Sequence, residues 1–313
     1  MPLLFQSQAM LRVVEQARRY ARSSATVLIV GESGTGKELL ARMIHESSVR
    51  RHEPLVRINC TSLSDSLFES ELFGHERGSF TGAVAERQGR LEAAGKGTLL
   101  LDEVGELSLR LQPKLLRVLE EAEFERVGSN ECRTLDARVV AATNRPLGED
   151  VARRKFRRDL YHRLNVLPLE VPALRHRRED VPLLVQHFVS QFRHESTSGV
   201  TGFSSKAMRT LCECDWPGNV RQLRNVVHRV CVLAKQQTVD LDELPQLDDP
   251  SDEEFALPPA LETLPLREIE RYVIIRRLRL FDGNQTAAAQ ALGVTSRTLR
   301  NKMSEYRRLG YAG

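Results

Sequence analysis

The sequence has no long apolar segment. A membrane-spanning helix needs ~18 or more consecutive apolar residues, and no stretch of this chain approaches that length. The first twenty residues carry scattered charges and lack the apolar block that precedes a signal cleavage site. We therefore predict a protein that has no membrane contact and stays in the cytoplasm.

Cysteine and net charge are also low. The chain has 5 cysteines and no Cys-x-x-Cys pair, which argues against a disulfide framework and against a zinc site. A formal net charge of +4 over 313 residues is too small to indicate a nucleic-acid partner by itself. Such a partner has to be inferred from local clusters of charge.

Short apolar runs alternate with helical patterns in the first half of the chain. Parallel strands need helical crossovers and are buried on both faces, so this alternation predicts a parallel sheet flanked by helices. We place this α/β region at residues 1–177. The expected strands are 27–30, 55–58, 98–101, 138–142 and 166–169.

The second half of the chain has helical periodicity and two changes of charge. Apolar spacing over 181–192, 204–212 and 220–233 predicts a small helical lid at 178–241. Residues 240–254 contain eight acidic and no basic residues, which predicts a linker at 242–260. Residues 256–313 contain ten Lys or Arg against five Asp or Glu, which predicts a separate basic helical domain at 261–313.

A glycine-rich turn follows the first expected strand and precedes a helical pattern. Glycines allow a tight turn in which N–H groups and a helix N-terminus point at phosphate oxygens, while Lys37 adds positive charge. The generic motif ends in a magnesium-binding Ser or Thr, whereas this chain has Glu38 there. The turn is still predicted to bind the phosphates of a nucleotide. Its residues are Gly31, Glu32, Ser33, Gly34, Thr35, Gly36, Lys37 and Glu38.

Two carboxylates end the third expected strand. Asp102 suits a Mg²⁺ ligand, and Glu103 suits a base that polarises water for attack on the γ-phosphate of ATP. Asn144 ends the fourth expected strand, and ligands bind at the carboxyl edge of such sheets. A strand that simply meets solvent has the same local pattern. Its pairing with the glycine-rich turn favours a nucleotide site.

The basic C-terminal region has the pattern of two helices joined by a glycine turn. The first helix ends at Gly293, and Ser296 is expected to cap a second helix that runs from Arg297 to about residue 307. The second helix of such a pair enters the major groove of double-stranded DNA. A helical dimerisation module with a solvated basic face is the alternative. The candidate DNA contacts are Ser296, Arg297, Thr298, Arg300, Asn301 and Lys302, of which Lys302 suits a phosphate.

These motifs together resemble one family closely. Residues from about 9 to 241 and from about 266 to 309 are similar to the bacterial AAA+ activators of sigma-54 RNA polymerase. The family's phosphate loop also ends in Glu, so Glu38 fits it. The segment Gly78-Ser79-Phe80-Thr81-Gly82-Ala83 resembles the loop with which these proteins grip sigma-54, in which the second residue is usually Ala.

The resemblance implies both a fold and a function. The fold is an α/β AAA+ P-loop NTPase with a helical lid, followed by a small all-α Fis-type helix-turn-helix domain. The function is hydrolysis of ATP with Mg²⁺ by a homo-oligomer, from a dimer to a hexameric or heptameric ring, bound to upstream enhancer DNA. The ring would convert the closed complex of sigma-54 RNA polymerase into the open complex, with Gly78, Phe80, Thr81 and Gly82 contacting sigma-54.

The resemblance also assigns roles to single residues. Arg157 and Arg163 match the two arginines that reach the neighbouring subunit's nucleotide, although the basic run 153–158 is also typical of a solvated face. Arg221 matches the lid arginine that senses nucleotide. Asn59 matches the residue whose amide restrains the catalytic Glu103 until the partner engages.

Two other functions stay open at this point. A DNA-binding regulator could use nucleotide only to assemble, without driving polymerase. An AAA+ unfoldase or helicase loader would share the ATP site but not the loop at 78–83 or the Fis-like end. The family usually has Ile-Gly where this chain has Phe5-Gln6. The residues that frame the adenine base are therefore not assigned from the sequence.

Overall fold

The computed structural model describes residues 3–61, 64–79, 85–195, 198–234, 236–244, 266–281, 285, 289 and 294–308. The chain forms two compact units, Met1–Leu247 and Asp248–Gly313. In the part of the chain that the structure describes, no helix has both the length and the apolar character of a membrane span. Most of the expected linker at 242–260 lies outside the described residues.

The first unit alternates helices and strands before it becomes helical. Its helices are α1 (Gln8–Ala21), α2 (Lys37–Glu46), α3 (Asp65–Phe73), α4 (Arg90–Ala94), α5 (Gln112–Glu121), α6 (Leu147–Ala152), α7 (Arg158–Leu164), α8 (Asp180–Phe192), α9 (Ser205–Glu213) and α10 (Asn219–Leu233). Its strands are β1 (Val27–Val30), β2 (Leu55–Asn59), β3 (Gly74–His75), β4 (Arg87–Gln88), β5 (Thr98–Asp102), β6 (Glu123–Glu125), β7 (Cys132–Thr134), β8 (Arg138–Thr143), β9 (Leu167–Glu170), β10 (Gly202–Phe203) and β11 (Thr238–Val239).

The predicted parallel sheet is confirmed. Its order is β2-β5-β8-β1-β9, and all four neighbouring pairs are parallel. The five strands are those expected from the sequence, with shifts of one residue at their ends. The last strand begins at Leu167 rather than at residue 166, where the exposed Val166 side chain lies outside the sheet.

Side chains of the central strands alternate between two apolar layers. On β8, Val140 and Ala142 pack with α1 and α2, whereas Val139 and Ala141 pack with Leu115 of α5 on the other face. Successive residues of a strand point to opposite faces, so a strand covered on both sides must be apolar throughout. The sheet is therefore the middle layer of three.

The helices α8, α9 and α10 form a separate core around the only tryptophan. The Trp216 side chain is buried and its indole N–H donates to the carbonyl of Leu211 at 2.8 Å. Leu184 of α8 and Leu223 of α10 pack into the same core. This arrangement confirms the helical lid predicted from apolar spacing.

The second unit contains helices α11 (Leu266–Leu280) and α12 (Ser296–Arg308). Leu278, Leu299 and Tyr306 belong to its small core. The expected cap at Ser296 is wrong, because α12 begins at that residue and Thr295 occupies the capping position. The N–H of Thr298 donates to Thr295 Oγ1 at 3.1 Å, which satisfies a free donor of the first turn.

The lid core predicts unequal effects of two leucines on one helix. Leu223→Ala leaves a cavity and should lower the free energy of unfolding by ~2–5 kcal/mol. Leu233→Ala on the same helix should change it by less than ~0.5 kcal/mol, because Leu233 is 69% exposed. Urea unfolding followed by Trp216 fluorescence measures both, and equal losses would contradict this packing.

Candidate nucleotide-binding site

The glycine-rich turn connects β1 to α2 and leaves donors unpaired. The Lys37 ammonium group donates to the carbonyls of Gly31 at 2.9 Å and Glu32 at 3.2 Å. Gly36 precedes the helix at φ 102°, a conformation that favours glycine. Among the described residues, no acceptor faces the N–H groups of Gly34 and Gly36. These donors and the N-terminus of α2 suit an anion.

The lid is attached to this turn through a buried amide. Asn219 has no exposed surface, and its Nδ2 donates to Glu32 Oε2 at 3.0 Å and to the Ser33 carbonyl at 3.1 Å. Its Oδ1 accepts from the N–H of Leu174 at 2.7 Å. Arg175 Nη1 also donates to Glu32 Oε2, at 2.9 Å. The hydrogen bond from Arg175, and then that from Asn219, lowers the pKa of Glu32, so the carboxylate stays ionised.

A second set of contacts brings the lid helix α10 against the turn. The N–H of Val220 donates to the Gly34 carbonyl at 3.1 Å, and Arg221 Nη1 donates to Ser33 Oγ at 2.8 Å. A Cβ on Gly34 would lie 2.4 Å from the Gly218 carbonyl oxygen, and Gly34 has φ 78°. Only glycine allows the two backbones to approach this closely.

The carboxylate of Asp102 is paired with an arginine. Arg57 on β2 places Nη2 at 2.6 Å from Asp102 Oδ2 and Nη1 at 2.7 Å from Glu38 Oε2. Arg57 therefore bridges the carboxylate expected to hold Mg²⁺ and the residue that replaces the usual Ser or Thr. Of the two carboxylate oxygens of Asp102, Oδ2 is the one that this guanidinium group engages.

The neighbouring Glu103 is held from two sides. Its Oε2 accepts from the backbone N–H of Asn144 at 2.9 Å, and its Oε1 lies 3.4 Å from Lys37 Nζ. The Glu103 backbone is left-handed, with φ 53°, which is uncommon for residues other than glycine. Such local strain is often found at functional sites. The sheet thus brings Asn144, Glu103 and Lys37 together as the sequence predicted.

A cavity of about 390 Å³ lies between the glycine-rich turn, the end of β5 and the lid. Its walls include the basic side chains of Lys37, Arg221 and Arg224 and the carboxylates of Asp102 and Glu103. The cationic groups and free N–H donors suit phosphates, and the carboxylates suit a divalent cation. The residues present therefore fit a nucleotide with Mg²⁺.

The expected restraint of Glu103 by Asn59 is not formed. Asn59 lies at the end of β2, where its Cα pairs with that of Asp102. Its Oδ1 accepts from the N–H of Thr61 at 2.9 Å and from the Thr61 hydroxyl group. Asn59 and Glu103 are both described residues, and no hydrogen bond joins them. The carboxylate of Glu103 instead accepts from the Asn144 N–H and faces Lys37, so Asn59 does not restrain it in this structure.

The two expected arginine fingers lie apart from the cavity. Arg157 precedes α7 and pairs with Asp159, with Nη2 at 2.7 Å from Oδ2. Arg163, at the end of α7, donates its Nε to the Leu119 carbonyl at 2.9 Å. Neither arginine contacts Lys37 or Glu103 of its own chain.

The loop expected to grip sigma-54 lies on a short hairpin. Strands β3 and β4 pair antiparallel, and Arg87 is joined to Glu71 at 2.7 Å. On the other side, the N–H of Glu76 donates to the Val127 carbonyl at 3.0 Å. Gly78 has φ 81°, and no atom of the described residues lies within 4 Å of a Cβ added to it. Phe80, Thr81 and Gly82 lie outside the described residues.

Helix α12 separates a core face from an exposed face. Leu299 is buried, whereas the candidate DNA contacts Thr298, Arg300 and Asn301 are exposed. Lys302, expected to meet a phosphate, pairs with Glu270 of α11 at 2.8 Å. The side chains of Ser296 and Arg297 lie outside the described residues.

Comparison with known proteins decides the family. Residues 3–170 match the sigma-54 interaction domain, residues 175–255 match the AAA+ ATPase lid domain, and residues 265–306 match bacterial regulatory proteins of the Fis family. The chain belongs to the sigma-54-dependent transcriptional activators. The α/β AAA+ fold with a helical lid and the Fis-type helix-turn-helix domain are thereby confirmed.

Three relatives show how far the similarity extends. The transcriptional regulatory protein ZraR of Escherichia coli K12 is 48% identical over 298 residues, which cover 95% of this chain and 67% of ZraR. The formate hydrogenlyase transcriptional activator FhlA of Escherichia coli K12 is 46% identical over 98% of this chain and 44% of FhlA. The crystal structure of NtrX from Brucella abortus in complex with ATP has a TM-score of 0.73 and 35% identity, covering 97% of this chain and 68% of NtrX.

Sequence reasoning did not find several residues that shape the site. Asn219 lies two residues before Arg221, but the sequence predicts a role only for Arg221. The pair Gly218-Asn219 carried a usable signal, because Asn is among the few residues that tolerate a positive φ, and Asn219 has φ 53°. Arg57 and Arg175 carry no local signal, since their partners lie far away in the sequence.

The close approach at Gly34 generates a prediction. Gly34→Ala should weaken binding of ADP by at least ~10-fold, because the new Cβ collides with the Gly218 carbonyl and the backbone is strained. Gly148→Ala is the matched control, since nothing lies within 4 Å of its added Cβ. Isothermal titration calorimetry measures both. Normal ADP affinity in Gly34→Ala would mean that this contact does not shape the site.

Proposed function

We propose that this chain hydrolyses ATP in the cavity between the phosphate-binding loop and the lid, and uses the energy to open promoters through sigma-54 RNA polymerase. The observation that carries the proposal is the convergence of Lys37, Arg221, Asp102 and Glu103 on one cavity. NtrX, a structural neighbour, has been solved in complex with ATP and with ADP.

The proposed chemistry assigns one task to each group. Lys37, Arg221 and the free N–H groups of the turn hold the phosphates by charge and hydrogen bonding. Glu103 accepts a proton from the attacking water, and the Asn144 N–H keeps its carboxylate in place. Mg²⁺ on Asp102 would neutralise charge on the phosphates when bound.

The arginines Arg157 and Arg163 support a site shared between subunits. A positive charge near the transferring phosphoryl group contributes ~10³ to 10⁵ in rate in comparable enzymes. Arg157 directly precedes α7 and bonds to Asp159, whereas Arg163 lies on α7 and bonds to the Leu119 carbonyl, and both are away from the chain's own Glu103. We infer that they serve the next protomer, in a ring that forms from dimers and has six or seven subunits.

The hairpin formed by β3 and β4 is the part of the ring that is proposed to act on sigma-54. It carries Gly78 and the segment with Phe80, Thr81 and Gly82, and it is anchored on both sides by Glu71 and Glu76. An aromatic residue between glycines suits a loop tip that inserts into a partner. Contact of this tip with sigma-54 would convert the closed complex into the open complex.

The exposed face of α12 is the proposed anchor on double-stranded enhancer DNA. Arg300 and Asn301 suit guanine and adenine edges in the major groove. The pairing of Lys302 with Glu270 leaves Lys302 less available for a phosphate than the sequence suggested. The proposed setting is the bacterial cytoplasm, where sigma-54 RNA polymerase and its promoters are found.

The proposed role of the loop at 78–83 predicts that a substitution there separates ATP hydrolysis from open-complex formation. Thr81→Ala should retain ATP hydrolysis within about twofold, because no residue assigned to ATP binding or hydrolysis lies in this loop, and should abolish open-complex formation at a sigma-54 promoter. Permanganate footprinting of promoter DNA and phosphate release measure the two activities on one preparation.

The variant Glu103→Gln distinguishes this proposal from the alternative, a regulator that uses nucleotide only to assemble. If that variant opens promoters normally while hydrolysing no ATP, the chain uses nucleotide only to assemble. Promoter opening by Thr81→Ala at the normal rate would contradict the role of the loop.

A further inference from the structure

A buried ion pair at the start of the lid has no task in the proposed chemistry. Arg177 is 3% exposed and Asp180 is 0% exposed, and Arg177 Nη1 lies 3.8 Å from Asp180 Oδ2. Two charges taken out of water need further hydrogen bonds to offset the cost of desolvation. Those hydrogen bonds come from two separate parts of the chain.

Asp180 binds the segment that leads into α1. Its Oδ1 accepts from the backbone N–H of Gln6 at 2.6 Å and from that of Ser7 at 2.7 Å. Its Oδ2 accepts from the Ser7 hydroxyl group at 2.9 Å. Ser7 is itself buried, and its Oγ caps α1 by accepting from the N–H of Met10. One lid carboxylate therefore fixes where α1 begins.

Arg177 binds the phosphate-binding loop. Its Nη2 donates to the Thr35 carbonyl at 2.7 Å, and Thr35 is buried. In a planar trans peptide the C=O and the following N–H point in opposite directions. The hydrogen bond to Thr35 therefore turns the N–H of Gly36 away from Arg177, and that N–H is one of the donors without an acceptor among the described residues.

The donor in this hydrogen bond is a charged guanidinium group. Burial lowers the pKa of Arg177, and the carboxylate of Asp180 acts in the opposite direction. A guanidinium donor binds a carbonyl more strongly than a neutral donor does. The guanidinium group of Arg177 therefore contacts both the Asp180 carboxylate and the Thr35–Gly36 peptide.

We propose that Ser7, Asp180 and Arg177 act as a relay of positioning residues that couples the segment before α1 to the phosphate-binding loop and so sets nucleotide affinity. The relay rests on the proposed function, because its ligand is the nucleotide of that site. When the Ser7 contact is lost, Asp180 is less restrained, Arg177 holds Thr35 less firmly, and the Gly36 donor is less well oriented for phosphate.

A purely structural role predicts a different pattern. If Ser7 only capped α1 and Arg177 only filled the hinge of the lid, their substitutions would act independently on binding. Residues in one hydrogen-bonded chain are instead strongly non-additive, and a double-mutant cycle measures this directly. The cycle therefore separates a relay from two unrelated packing contacts.

The experiment measures the affinity of the full chain for a fluorescent ADP analogue. The variants are Ser7→Ala, Arg177→Lys and the double variant, with thermal unfolding followed by Trp216 fluorescence to show that each is folded. Arg177→Lys keeps the charge but loses the fixed guanidinium geometry. If it does not fold, Asp180→Asn takes its place in the cycle. The matched control is Arg178→Lys, because Arg178 lies next in the chain and pairs with Asp215 on the surface.

The relay predicts that Ser7→Ala weakens ADP binding by about threefold or more and Arg177→Lys by about tenfold or more, with the double variant within about twofold of Arg177→Lys alone. Arg178→Lys should bind normally, and its effect should add to that of Ser7→Ala. Additive effects of Ser7→Ala and Arg177→Lys, in a wild-type protein that binds ADP, would overturn the relay and leave the ATPase proposal standing. A wild-type protein that binds no ADP would overturn both.

Discussion

Among the contacts that join the lid to the phosphate-binding loop, the amide of Asn219 is fully buried. It binds Glu32 and Ser33 of the phosphate-binding loop and the N–H of Leu174 in the hinge. A fully buried amide that lost these partners would carry a large desolvation cost, so the lid is held in one position over the loop. Without that position Arg221 would not face the cavity.

The same sheet edge connects the site to the hairpin. Strand β2 ends at Asn59 beside Asp102, and the chain then passes through α3 directly to β3. Ionic contacts at Glu71 and a backbone bond at Glu76 fix the base of the hairpin on both sides. Helix α3 therefore links the carboxyl edge of the sheet to the base of this hairpin.

The sequence predicted the sheet well and the hinge poorly, for a physical reason. Strands buried on both faces must be apolar throughout, and a phosphate-binding turn needs glycines at fixed positions, so both leave local patterns. The hydrogen bond from Asn219 to Glu32 joins residues 187 positions apart, and that from Arg177 to Thr35 joins residues 142 positions apart. Neither bond therefore produces a local sequence pattern. The error at Ser296 was of another kind, since Thr295 and Ser296 are adjacent and either side chain can cap a helix.

In the proposed function, one protomer builds the cavity and a second protomer completes it. Mixing Arg157→Ala with Glu103→Gln tests this directly, because each variant supplies the group that the other lacks. Each alone should lose ATP hydrolysis by ~10³-fold, and the mixture should regain a substantial share of the wild-type rate. Arg153→Ala, at an exposed residue paired with Glu149, is the control and should hydrolyse ATP normally. A mixture no more active than the sum of its parts would contradict the shared site.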